Sequence, residues 1–171
     1  MQIMKFSYKI LSILLVGICM NACDNDIKDI SKPEEKLELT ASSHEIALDL
    51  DNPREFVLTF DWTKARETSD EGLVFYTTKL DVVGNNFGTA TAIINIEEED
   101  VFSRSFTSEQ LYNWMTERWG VPLTRPLTLE FRVVAQWEGG PVFEAPEVRT
   151  VTVHVAAVKE EVPVADMIAL L

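Results

Sequence analysis

Residues 127–137 read LTLEFRVVAQW, and this stretch decides the fold. Leu127, Leu129, Phe131, Val133, Ala135 and Trp137 recur at every second position, with Thr128, Glu130, Arg132 and Gln136 between them. Successive side chains of an extended strand point to opposite faces, so the spacing predicts a long strand with one apolar and one solvated face. On an α-helix the same residues would scatter around the whole cylinder. Pro122 and Pro126 precede the strand, and Glu138-Gly139-Gly140-Pro141 follows it as a turn.

The same period of two extends outward on both sides. Val151, Val153 and Val155 predict a last β-branched strand. Toward the N-terminus, Leu37 and Leu39 mark a first strand and Ile46 and Leu48 a short second, before the turn Asp51-Asn52-Pro53. Phe56, Leu58, Phe60 and Trp62 are expected along one face of a third strand, with Val57, Thr59 and Asp61 on the other. Residues 64–72 (KARETSDEG) read as a polar loop. Alternation resumes from Leu73 to Asp81, with Val74, Tyr76, Thr78 and Leu80 on one side, and Gly84-Asn85-Asn86 reverses the chain into Ala90–Ile96. A strand over Val101–Phe106 places Phe102, Arg104 and Phe106 together. Thr107 and Gln110 form a capping-box pattern that opens a helix at Ser108–Trp119, ended by Gly120, with Leu111, Trp114, Met115 and Trp119 as its buried stripe. About seven short strands, regular turns and one short connecting helix make the fold class all-β, an immunoglobulin-like antiparallel β-sandwich.

Lys5 and Lys9, followed by the apolar run Ile10–Met20, predict a signal peptide too short to span a bilayer. The run ends in Met20-Asn21-Ala22-Cys23, a lipobox in which a small residue precedes the cysteine. Cleavage before Cys23 frees an amine and a thiol on one residue, and acylating both gives several chains in one anchor, enough for stable attachment to membrane lipid. Ordinary signal-peptidase cleavage is the alternative. Cys19 follows the bulky Ile18 and is expected to leave with the leader, so no internal disulfide is available to the mature chain. The predicted layout is a leader over 1–22, lipid site and flexible acidic tether over 23–36, one sandwich over 37–158, and an apolar tail over 159–171.

Charge excludes one class of partner. Lys and Arg number 15 against 28 acids, for a formal charge of -13, and such a surface repels phosphate backbones, so no nucleic acid is expected. Catalytic groups are scarce. The two histidines, His44 and His154, sit beside strand residues in no metal-ligand spacing and read as surface groups. No nucleophile elbow or glycine-rich phosphate loop is present, so neither an enzyme nor a cofactor is expected. Glu97-Glu98-Glu99-Asp100 lacks calcium-loop spacing and reads as a solvated acidic run, not a metal site. Aromatic rings stack on sugars, and Tyr112, Trp119 and Phe87 are the candidates for such a platform. The helix cannot turn all its aromatics inward, and Phe87 follows a hairpin turn, exposed at its tip or folded back over the sheet.

The stretches LTASSHEIALD (39–49), FVLTFDWTKA (56–65), YTTKLDVVGNNFG (76–88) and LTLEFRVVAQW (127–137) together resemble the N-terminal domain of SusE-type and SusF-type outer-membrane lipoproteins of Bacteroidetes glycan utilisation systems. Asp24, Asp26 and Asp29 after Cys23 likewise resemble the signal that sends such lipoproteins to the outer face of the outer membrane. The resemblance implies a non-catalytic, lipid-anchored surface protein, an accessory or scaffold of polysaccharide capture beside a TonB-dependent transporter and companion glycan-binding lipoproteins. In the family this domain is a spacer, followed by modules that bind the sugar. Only residues 159–171 follow here, so the implied alternatives are a stand-alone accessory, a direct carbohydrate-binding module, or a truncated remnant of a longer protein.

Overall fold

A computed structural model describes residues 34–68, 73–140 and 143–158. The expected leader, Cys23 and the apolar tail lie outside the described residues. Among the described residues eight strands run in chain order: β1 (Leu39–Ala41), β2 (Glu45–Ile46), β3 (Phe56–Trp62), β4 (Leu73–Val82), β5 (Ile93–Ile96), β6 (Ser103–Thr107), β7 (Leu127–Glu138) and β8 (Glu147–Val155). One sheet has the order β1-β3-β6 and the other β2-β8-β7-β4-β5. The pairings are antiparallel except that of β2 with β8, so the chain crosses between sheets after β1 to cover the edge of β8.

Residues 127–137 form the centre of the larger sheet. β7 pairs along its length with β4 (Val82↔Leu129 to Leu73↔Glu138) and with β8 (Leu127↔Val155 to Ala135↔Glu147). Leu129, Phe131, Val133 and Ala135 are buried, as the alternation predicts. Phe131 meets Phe60 of β3 with ring centroids 4.1 Å apart and planes 7° from parallel, and Phe106 of β6 packs edge-on against both. This aromatic triplet joins the two sheets.

Several expectations are corrected. Phe56 does not share the face of Leu58, Phe60 and Trp62: the β3–β6 register shifts between Phe56 and Leu58, and the ring is 70% exposed. An extra residue at a strand irregularity reverses the facing of everything before it. The strand expected from Ala90 begins only at Ile93. The chain before it is held by Asp81, which is fully buried and accepts from the Val82 N–H (2.8 Å), Asn85 Nδ2 (2.9 Å) and Thr91 Oγ1 (2.8 Å). β6 runs over Ser103–Thr107 in place of Val101–Phe106.

The helix opens with the expected capping box. Thr107 Oγ1 accepts from the Gln110 N–H and Gln110 Oε1 from the Thr107 N–H. However, α1 covers only Ser108–Asn113, and Trp114–Arg118 continue as a π-turn in which the Trp119 N–H donates to the Trp114 carbonyl at 2.9 Å. In an α-helix residues five apart differ by about 140° in direction; the i to i+5 bond brings them nearly above one another. That geometry lets Trp114 and Trp119 pack edge-on at 6.4 Å, both partly buried against the core, while Leu111 and Met115 are fully inside. Gly120, at φ +63°, then ends the segment in a conformation that favours glycine.

The last residues of the expected tether are fastened to the sandwich. Lys36, assigned to the tether by composition, donates its backbone N–H to Glu147 at 2.9 Å, and its carbonyl accepts from Thr63 Oγ1 at 2.9 Å. Glu35 pairs with Arg149.

Candidate functional site

At one end of the sandwich the chain departs from a plain hydrophobic core. β5 pairs with β4 only from Thr77 to Leu80, and the next bond, from the Glu97 N–H to the Tyr76 carbonyl, is the last before the chain turns toward β6. A cleft of about 530 Å³ opens below that point, between residues 64–68, the start of β4, the end of β7 and residues 97–102.

One wall is built on a buried charge cluster. Arg66, expected in a polar loop, is buried. Its Nη1 donates to Glu147 Oε1 at 3.0 Å, and its Nη2 to Glu144 Oε2 (3.0 Å) and the Ala145 carbonyl (2.9 Å). Its guanidinium lies 4.1 Å from the centre of the Trp137 ring. Glu147 is wholly buried and also accepts from the N–H groups of Leu37 (2.6 Å), Lys36 (2.9 Å) and Arg66 (3.1 Å). Burial by itself pushes the Glu147 carboxyl up, but the bonds from Leu37, Arg66 and Lys36 outweigh it, and the net direction is down. The adjoining Ala65 N–H donates to Tyr76 Oη at 2.9 Å, and burial pushes that phenol up.

The opposite wall corrects a second reading. Glu97 is not part of a solvated run: it is buried, accepts from Arg104 Nε at 2.9 Å and Nη2 at 2.5 Å, and takes the hydroxyl of the buried Thr78. Glu98, Glu99 and Asp100 are exposed, as expected of an acidic run. Lys64 reaches Asp100 at 3.8 Å and stands 5.6 Å over Phe102. The two buried carboxylates beside the cleft, Glu97 and Glu147, are thus bound to arginines, and neither is poised to move a proton or attack a substrate. Among the described residues no group of three His, Cys, Asp or Glu side chains converges on a point where a metal ion would sit.

The three aromatics proposed for sugar stacking lie elsewhere and do not form one platform. Trp119 is partly buried, its Nε1 donates to the Thr91 carbonyl at 3.0 Å, and the neighbouring Arg118 binds the carbonyls of Thr91 and Ala92. It fastens the helical segment to the β4–β5 connection. Tyr112, about two turns earlier, is partly buried against the core. Phe87 is buried rather than exposed at a hairpin tip, with the Arg132 guanidinium 4.1 Å from its ring centre, so its face is already covered. His44 and His154 are both exposed: Nδ1 of His154 lies 2.9 Å from Thr128 Oγ1, and Nδ1 of His44 lies 3.3 Å from the Thr152 carbonyl.

With no reactive constellation among the described residues, relationship carries the identity. The family model described as SusE outer membrane protein matches residues 24–134, well over half of the chain. The chain belongs to the SusE outer membrane protein family. A search of curated proteins returns no match. Membership of the SusE family makes this an outer-membrane protein of glycan utilisation systems, in a family that is generally non-catalytic. Among the described residues no helix is long and apolar enough to cross a membrane. The matched span includes Arg66, the Asp81 hairpin and the Glu97–Arg104 pair, but it ends within β7, before Glu147.

Proposed function

We propose that this SusE family member is a non-catalytic surface lipoprotein, anchored through acylated Cys23 on the exterior of the outer membrane, that serves as accessory or scaffold of a polysaccharide binding and uptake assembly. The SusE match, which begins at Asp24 directly after the lipobox cysteine, is the observation that carries this reading. The strand order, with β1-β3-β6 facing β2-β8-β7-β4-β5 and a first segment divided between the sheets, supports an immunoglobulin-like sandwich as its single folded domain over 37–158. Residues 1–22 would be the leader, 23–36 the lipid site and tether, and 159–171 the tail. The partners in this reading are a TonB-dependent transporter and companion glycan-binding lipoproteins, which would supply the sugar sites.

Calorimetric titration with starch, pullulan and host glycans tests the non-binding part, and the expected result is no heat with any of them. Heat that disappears in Tyr112→Ala or Trp119→Ala would establish a direct carbohydrate-binding module in its place. The anchor is tested separately: Cys23→Ala is expected to move the protein from the membrane to the soluble fraction. Continued membrane partitioning of that variant would overturn the lipid assignment.

A further inference from the structure

The edge of the five-stranded sheet has a notch beside β4. Leu73, Val74 and Phe75 pair with β7 on one side, and no described strand covers them on the other, because β5 reaches only Thr77. Backbone N–H and C=O groups alternate in direction along a strand, so those of Val74 point the same way as the Tyr76 carbonyl, which binds Glu97 on the β5 side. They face the notch. Unpaired main-chain groups at a sheet edge are a template for another strand.

The surroundings specify what kind of strand. The 530 Å³ cleft opens at this edge, and Val74, Tyr76, Phe102 and Trp137 offer it apolar surface, while Leu73 and Phe75 are exposed beside it. Its rim is acidic. Glu67, Glu98 and Glu99 are exposed and take part in no ion pair among the described residues, whereas the nearby cations are committed, Lys64 to Asp100 and Arg66 to Glu144 and Glu147.

We propose that this notch binds an extended segment of a partner protein by strand addition to β4 at Val74, with apolar side chains entering the cleft and alternating Lys or Arg side chains meeting Glu67, Glu98 and Glu99. Main-chain bonds supply affinity in this mode, and the alternate side chains supply selection. A second copy of the chain is the wrong occupant, because each copy carries a formal charge of -13 and like charges at a contact are repulsive.

The test uses the full-length chain in detergent micelles and three blocked hexapeptides: Lys-Val-Lys-Ile-Lys-Val, its counterpart with Glu for Lys, and a third with Pro for Ile. The first is expected to bind at least tenfold tighter than either of the others and to slow amide exchange at Val74 at least tenfold. The double variant Glu98→Lys, Glu99→Lys, which alters only exposed side chains, is expected to weaken it at least tenfold. The proline peptide keeps the charge but loses a strand donor, so equal binding of these two would reduce the effect to bulk attraction and overturn the proposal. So would an unprotected Val74 amide, or no binding of the first peptide.

Discussion

Replacing Glu147 by alanine is expected to cost about 3–5 kcal/mol of folding stability, the range for removing one partner of a buried ion pair. The wild-type carboxylate accepts bonds from three backbone N–H groups and from the Arg66 guanidinium in a place with no solvent access. Alanine leaves all of these donors without that acceptor, and Arg66 keeps only Glu144 and the Ala145 carbonyl. Because the backbone of Lys36 and Leu37 is held by this carboxylate, the variant should also lose protection of that segment first. Glu147→Gln retains an acceptor oxygen but not the charge, and is expected to fall between wild type and alanine.

The pH dependence has a definite sign. The folded carboxyl lies below its ordinary value of 4.5, so its contribution is fully present above that value and is lost as pH falls through the folded pKa. Urea midpoints at neutral and acid pH should therefore show the advantage of wild type over Glu147→Gln shrinking below about pH 4.5. Equal midpoints for wild type and Glu147→Ala at neutral pH would show that the cluster contributes no stability.

Truncating Phe131 to alanine is expected to remove about 3–5 kcal/mol, through lost transfer energy and the cavity left behind. Its ring lies at the centre of the contact between the sheets: stacked on Phe60, edge-on to Phe106 at 6.1 Å, and 6.3 Å from Trp62. A domain of ordinary stability holds about 5–15 kcal/mol in total, so this change alone removes a large fraction of it. Phe56→Ala is the matched control. Its ring is mostly exposed, and the expected change is within about 0.5 kcal/mol. If both variants shifted the denaturation midpoint alike, the register shift that turns Phe56 outward would be wrong.

Phe56 shows where sequence periodicity stops being informative. Alternation by itself puts Phe56 with Leu58 and Phe60, and one irregularity in strand pairing undoes the inference, because a strand keeps parity only while its register is continuous. The helical segment fails in the same way. Its capping box and terminal glycine are legible, whereas the π-turn that accommodates both Trp114 and Trp119 depends on packing against the sheets.

Some of the buried charge was legible in principle. Glu147 has the parity of Val151, Val153 and Val155, and Arg104 that of Phe102 and Phe106, so each is a charged residue on an apolar face. A charge there needs a partner, because burying it unpaired is too costly. Composition pointed the other way, since KARETSDEG and the acidic run read as solvated segments.

What the sequence by itself determined is the all-β class, the facing of most strand residues, the capped helix start and the SusE kinship, all properties of local period and of residue order. Only the tertiary structure decided that Arg66 reaches Glu147, that Glu97 turns inward to Arg104, and that β5 stops short of the start of β4. Those pairings join residues far apart in the chain, and the carboxylates of one acidic run have no local feature that tells which of them will be covered by a neighbouring strand. Solvent exclusion is a property of the assembled sheets, and it is what makes a loop arginine and a strand glutamate the fastening of this domain.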